Sequence, residues 1–225
     1  MNSSGKRRRP KSRRRPDADS ARNVFINCPF DDKYRPLFHA AVFAIVDCGF
    51  VPRCALEVDD GSEVRINKVC DLIAECRFGI HDLSRTELDA RSKLPRFNMP
   101  LELGLFIGAK RFGGSSHHRK SCLILDTDPY RYQAFISDIA GQDIRPHGGD
   151  HRRLITAIRD WLRATSRRAT LPGGAEIFAR FRHFQAALPD ICRRLRLKVD
   201  EITFLDLLAA ITTWLDQRRV TSQSR

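Results

Sequence analysis

From Asn23 onward, short apolar runs alternate with longer stretches whose apolar positions recur every three or four residues. The short runs predict strands and the longer stretches amphipathic helices. NVFIN (23–27) is the first run, and Pro29, which has no N–H for a ladder, ends it after Cys28. Asp31 and Asp32 then open a helix carrying Leu37, Phe38, Ala41, Val42, Ile45 and Val46, closed by Gly49. Residues 50–57 (FVPRCALE) predict a second strand. Beyond the DDGSE turn, Val64, Ile66, Val69, Leu72, Ile73 and Cys76 share helical spacing, and 77–83 (RFGIHDL) predict a third strand.

Residues 84–98 are polar and long for a connection inside a compact domain, the length of a functional loop. Asn98-Met99-Pro100 reads as an N-cap with proline in the first turn, launching a helix over LELGLFIGAKRF that Gly113-Gly114 terminates. SCLILD (121–126) is the clearest strand. PYRYQAFISDI reads as a helix, 142–147 (QDIRPH) as a short strand, and 151–165 as an amphipathic helix with Leu154, Ile155, Ile158, Trp161 and Leu162 on one face. After the LPGG break, 175–219 read as two or three helices that either cap the domain or make an oligomer contact. Alternation of this kind predicts a five-stranded parallel sheet with helices on both faces and a small helical C-terminal extension. Ligands of such sheets bind outside the carboxyl ends of the strands, where strand order reverses. That nominates the loops after Asn27, Glu57, Asp82 and Asp126.

Composition narrows the class. The chain has 225 residues, 42% apolar and 30% charged, enough for one domain with a real core and an appendage. Its longest apolar stretches fall far short of the ~20 residues that cross a bilayer, so no membrane partner is expected. The seven cysteines form an odd set without a CxxC pair, and no apolar leader follows the basic start; a reducing cytoplasm is the expected compartment. Residues 1–22 carry nine basic and two acidic groups, a net +7, against 31 basic and 25 acidic groups, or +6, in the rest. KRRRPKSRRRP has nothing to bury and repels itself, so it predicts a disordered arm. It either solubilises the chain or touches nucleic-acid phosphates without sequence preference. No aromatic residue is interleaved to stack on bases.

Glu102 is the candidate for chemistry. It is expected in the first turn of its helix, where free N–H groups and the helix dipole favour a negative charge and keep it ionised at pH 7. Gly104 and Gly108 follow on nearby turns and suggest close approach of another backbone or a ligand. The alternative is that Glu102 only complements the dipole of a tightly packed helix. No GxGxxG or Walker lysine is present, which excludes an ordinary Rossmann dehydrogenase and a P-loop NTPase. His117-His118 have no Cys or carboxylate at ligand spacing. His81 and Asp82 should point to opposite faces of their strand, with His81 packed. Cys70 and Cys76 read as small core hydrophobes on a helix.

NMPLELGLFIGAKRFG, following IHDLSRT and preceding KSCLILD and FISDIAGQDIRPH, resembles the TIR-like predicted nucleotide-binding family of bacterial defence effectors. VFINCPFDD is similar to the first strand and loop of TIR domains. The resemblance spans about 23–165, so the division it implies is a basic arm (1–22), a TIR-like, flavodoxin-like α/β domain (23–168) and a helical extension (169–225). It implies hydrolysis of NAD as substrate, with release of nicotinamide, Glu102 as the catalytic carboxylate, no separate cofactor, and self-association. A neutral leaving group needs no acid, so one carboxylate facing an oxocarbenium-like ribose suffices. More loosely, DLS followed by P-x-E-L-G is similar to nucleoside 2-deoxyribosyltransferases, which must protonate a departing base; Asp82 is the available acid. A third reading is a non-catalytic module binding a nucleotide or nucleic acid. Supporting contacts are expected from the loops. Asn27 would bind ribose or amide groups, and Phe30 would stack on a base or pack its loop. Ser84 and Asn98 flank the polar loop, Asn98 reading first as a helix cap, and Arg65 would meet a pyrophosphate or lie solvated.

Overall fold

The computed structural model describes residues 21–86, 88, 93–168 and 170–223, with side chains to 218. The basic arm thus lies, apart from its last two residues, outside the described residues. Strands β1 (Asn23–Asn27), β2 (Val51–Arg53), β3 (Phe78–Asp82), β4 (Ser121–Asp126) and β5 (Ile144–Pro146) form one parallel sheet in the order β2-β1-β3-β4-β5. Asn27 lies beside His81, and Asp82 beside Leu125. The chain moves outward from β1 to β2, then crosses back to place β3 on the other side of β1. Strand order therefore reverses between β1 and β3, as in flavodoxin-like sheets, and the ligand crevice of such sheets opens there.

Helices cover both faces. On one, Val24, Ile26, Phe78, Ile80, Leu123 and Leu125 pack with α1 (Arg35–Asp47) and α4 (His151–Ser166). On the other, Phe25 meets α2 (Arg65–Glu75) and Phe106 of α3 (Asn98–Phe112), while Ile124 meets Met99 and Leu103. Every residue from Ala40 to Ile45 of α1 is buried, because α5 (Gly174–Leu195) and α6 (Phe204–Gln223) cover its outer side. Phe43 packs against Phe181, Phe184 and Trp214 at ring separations of 5.6, 5.5 and 5.9 Å. A helix apolar all round must be buried all round. The C-terminal helices do that and share one core with the sheet. Among the described residues no helix is long and apolar enough to cross a membrane.

Several local expectations are corrected. The second strand stops at Arg53, because Arg53 pairs with Glu57 and folds 55–57 into a tight turn; Pro52 is tolerated because β2 is an edge strand. The first helix begins at Arg35, since Asp31 spends its side chain and carbonyl on a turn that reaches Tyr34 and Arg35. PYRYQAFISDI forms two short 3-10 turns, 131–134 and 137–139, where Arg131 reaches back to Asp126 and Leu83. Asn98 is the first helical residue and provides no cap. Cys76 is buried, but Cys70 is exposed on the outer side of α2. Lys120 is buried at the start of β4 and donates to the last carbonyls of α2, Ile73 and Cys76, with its ammonium 5.0 Å from the Phe106 ring. It ties α2 to the sheet.

Phe43→Ala should lower the unfolding free energy by about 3–5 kcal/mol, because it empties the space between α1 and both C-terminal helices. Phe112→Ala, at a residue 87% exposed, should change it by no more than about 0.5 kcal/mol. Urea unfolding of both variants measures the contrast.

Candidate active site at the strand reversal

Asn27, the last residue of β1, fixes this end of the sheet. Its amide nitrogen donates to the Met99 carbonyl at 2.8 Å and lies 3.0 Å from His81 Nδ1. The first bond pins the opening turn of α3 against β1. The second is possible because His81, fully buried against Phe25 and Phe106, is held neutral, its pKa driven down to about 3 by burial. With Nδ1 accepting, the ring proton sits on Nε2. Gly79 makes room for this ring: a Cβ there would come within 2.8 Å of His81 Nε2 and of Phe106. The expected opposition of His81 and Asp82 across the sheet is what the structure contains. The Asn27 amide nitrogen, however, is engaged within the protein.

Glu102 is 8% exposed, and among the described residues it has no hydrogen bond and no ion pair. Because α3 begins at Asn98, Glu102 falls in the second turn and not the first, where the dipole is already weak. Its pKa is accordingly raised, by loss of hydration, with the charge of Arg65 acting in the opposite direction. Arg65 is the exposed first residue of α2. The Cys28 thiol, just past Asn27, feels the charges of Asp82, Glu102 and Asp31, and burial raises its pKa well above the usual range. Asp82 of β3 and Glu102 of α3 thus approach the turn after β1 that carries Cys28 and Asp31. Gly104 and Gly108 are not required by any close approach within the chain: a Cβ at either would meet nothing within 4 Å.

Asp82 is built differently. It is fully buried, and its carboxylate receives the Tyr34 hydroxyl, the Ser84 N–H at 2.9 Å and a contact from His147 Nε2 at 3.0 Å. The His147 contact lies off the line of a good hydrogen bond. His147 Nδ1 accepts from Gly149 N–H, so the ring proton is on Nε2, facing Asp82. Burial alone would raise the Asp82 pKa, but these partners together hold it below the ordinary carboxylate value. Asp126, at the end of β4, is clamped by Arg131, which also donates to the Leu83 carbonyl and Thr86 hydroxyl and so anchors the start of the polar loop. Ser84 is buried and contributes its backbone N–H to Asp82. Tyr34, His147, Arg131 and Asp126 carried no signal at short range; only the nomination of the loop after Asp126 came near them.

The remaining candidates lie at the rim. Phe30 is half-buried and packs edge-on against Phe38 at 5.4 Å, beside a cavity between the post-β1 loop and α6. Asn98 is exposed at the start of α3. The loop joining β3 to α3 is attached to the post-β1 turn through Arg85 and Arg96, 3.4 and 3.9 Å from Asp31. A second, open groove of about 630 Å³ lies at the far edge, between β5 and α4, and holds none of the predicted site residues. Glu102 lines neither.

The buried neutral histidine makes stability depend on pH. The unfolded chain protonates His81 near pH 6.5, whereas the folded protein does so only near 3. Stability is therefore complete above about pH 6.5 and falls as pH drops toward 3, by roughly 1.4 kcal/mol per unit. His39, driven down to about 4 by burial and Arg35, acts in the same direction. Asp82 adds its own loss only below its unfolded value of about 3.9. His81→Leu should shrink the fall between pH 6.5 and 4.5, measured by urea unfolding across that range.

No family model, curated protein or solved structure matches the chain.

Proposed function

We propose that the protein cleaves the nicotinamide–ribose bond of NAD, with Glu102 as the catalytic carboxylate. The observation that carries this reading is a carboxylate largely withdrawn from water, with no hydrogen bond among the described residues, beside the strand reversal where parallel sheets bind nucleotides. Groups whose pKa is raised by loss of hydration in the crevice of such a sheet are candidates for chemistry. In the reaction the bond from ribose C1 to the pyridinium nitrogen breaks, and its electron pair neutralises the ring. Positive charge grows on the ribose, where an ionised Glu102 in a poorly hydrated site stabilises it strongly. Water then adds to C1 and releases one proton, leaving ADP-ribose and nicotinamide.

The leaving group discriminates between glycosidic reactions. A purine or pyrimidine would need a proton as it departs. Asp82, the acid that such chemistry would use, is held ionised by Tyr34, Ser84 and His147 and has no exposed surface. Nicotinamide needs no proton, so this environment favours NAD over a nucleoside. The resemblance to bacterial defence effectors adds the setting: a cytoplasmic enzyme that consumes NAD and works as an assembly of its own copies.

Wild-type protein incubated with NAD should release nicotinamide, followed by chromatography, and Glu102→Gln should lower kcat by about a hundredfold or more with the fold intact. Equal release by the variant contradicts the assignment. Arg65→Gln removes the charge that opposes the raised Glu102 pKa, so the acid limb of the pH–rate profile should move to higher pH.

A further inference from the structure

A cavity of about 110 Å³ opens between the turn after β1, the start of α1 and the start of α6. Its size suits one planar ring system and not a whole nucleotide, since pockets for larger ligands run to several hundred cubic ångströms. Aromatic side chains form its walls. Phe30 stands edge-on to Phe38 at 89°, and Phe38 lies 5.9 Å from Phe204 of α6. His39 also lines it and, among the described residues, makes no hydrogen bond. Burial and the neighbouring Arg35 keep that imidazole neutral, so it offers one donor and one acceptor.

The charges at the rim are already matched. Asp32 pairs with Arg35, and Asp31 lies 3.4 Å from Arg85 and 3.9 Å from Arg96. The cavity thus presents aromatic faces, one neutral polar group and no uncompensated charge. The neutral imidazole can give or take one hydrogen bond with a ring nitrogen or an amino group, and the aromatic walls suit a flat heterocycle. Asn27, where that turn begins, bonds the Met99 carbonyl at the start of the Glu102 helix, and Asp31 of the same turn lines the cavity, so cavity and carboxylate flank one short turn. A ligand with two rings joined by a flexible linker can occupy both places.

We infer that this cavity is a binding subsite for a neutral heterocyclic base, the adenine end of the dinucleotide, with His39 as its hydrogen-bonding partner and α6 as one wall. The inference rests on the NAD reading for the identity of the base, and it gives the C-terminal helix a part in substrate recognition. Adenine would pack against the half-buried Phe30 ring, with one ring nitrogen or its amino group facing the imidazole.

Adenosine is the probe, because it can bind without being cleaved by the proposed reaction. Calorimetric titration of the full chain should show saturable binding, weakened about tenfold or more in His39→Leu. Leu56→Trp, at a lining residue that is 45% exposed, should block binding with little effect on folding. Circular dichroism and the thermal midpoint verify both variants. With NAD, the same substitutions should raise KM and leave kcat nearly unchanged, a split that a merely structural role would not give. Adenosine binding that needs His39 and is blocked at Leu56 supports the subsite even if wild type releases no nicotinamide, in which case only the NAD reading falls. Nicotinamide release with KM unaltered in both variants overturns the subsite and leaves the NAD reading intact. Absence of adenosine binding at millimolar concentration also overturns it.

Discussion

Glu102 has surrendered most of its hydration and, among the described residues, received no hydrogen bond in return. An isolated carboxylate in that position resists ionisation, and only the positive charge of Arg65 leans the other way. The fold holds it there by means remote from the group itself. Asn27 binds the Met99 carbonyl and fixes the opening of α3; Phe106 and Leu103 press the next turns against the sheet. Glu102 cannot leave its place without unpacking those contacts. In the proposed reaction a rigidly held, poorly hydrated carboxylate would meet the growing positive charge with little reorganisation left to do.

The three carboxylates at this end of the sheet divide into two kinds. Asp82 and Asp126 are fully buried and heavily partnered: one by a hydroxyl, an amide and an imidazole, the other by a guanidinium. Removal of one partner from such a cluster would strand a charge in the interior. These groups hold loops together, linking α1, the β3 exit, the β4 exit and the turn after β5. Glu102 belongs to neither network.

Periodicity in the chain was enough to read the alternation of strands and helices and the near-exact extents of β1, β4 and α4. Those signals are local and strong: NVFIN and SCLILD contain the unbroken apolar runs 24–26 and 122–125, and α4 shows one clean apolar stripe. What escaped depends on distant partners. Arg53 chose Glu57 over a longer strand, and Arg131 chose Asp126 and Leu83 over a helix. The position of Glu102 relative to the dipole turned on a single-residue question, whether Asn98 caps α3 or begins it. Gly104 and Gly108 suggested close approach, yet nothing in the described chain lies near them. The buried cluster of Tyr34, Asp82 and His147 joins three separate segments that no spacing rule connects.

The most direct test is to follow the Glu102 carboxyl carbon by NMR through a pH titration, assigned by its absence in Glu102→Gln, with and without ADP-ribose. A carboxylate isolated at the proposed nucleotide site should titrate above the ordinary glutamate value of about 4.3 and shift again when the ligand is present. Titration at the ordinary value, unchanged by ADP-ribose, would contradict both its isolation and its place at the substrate.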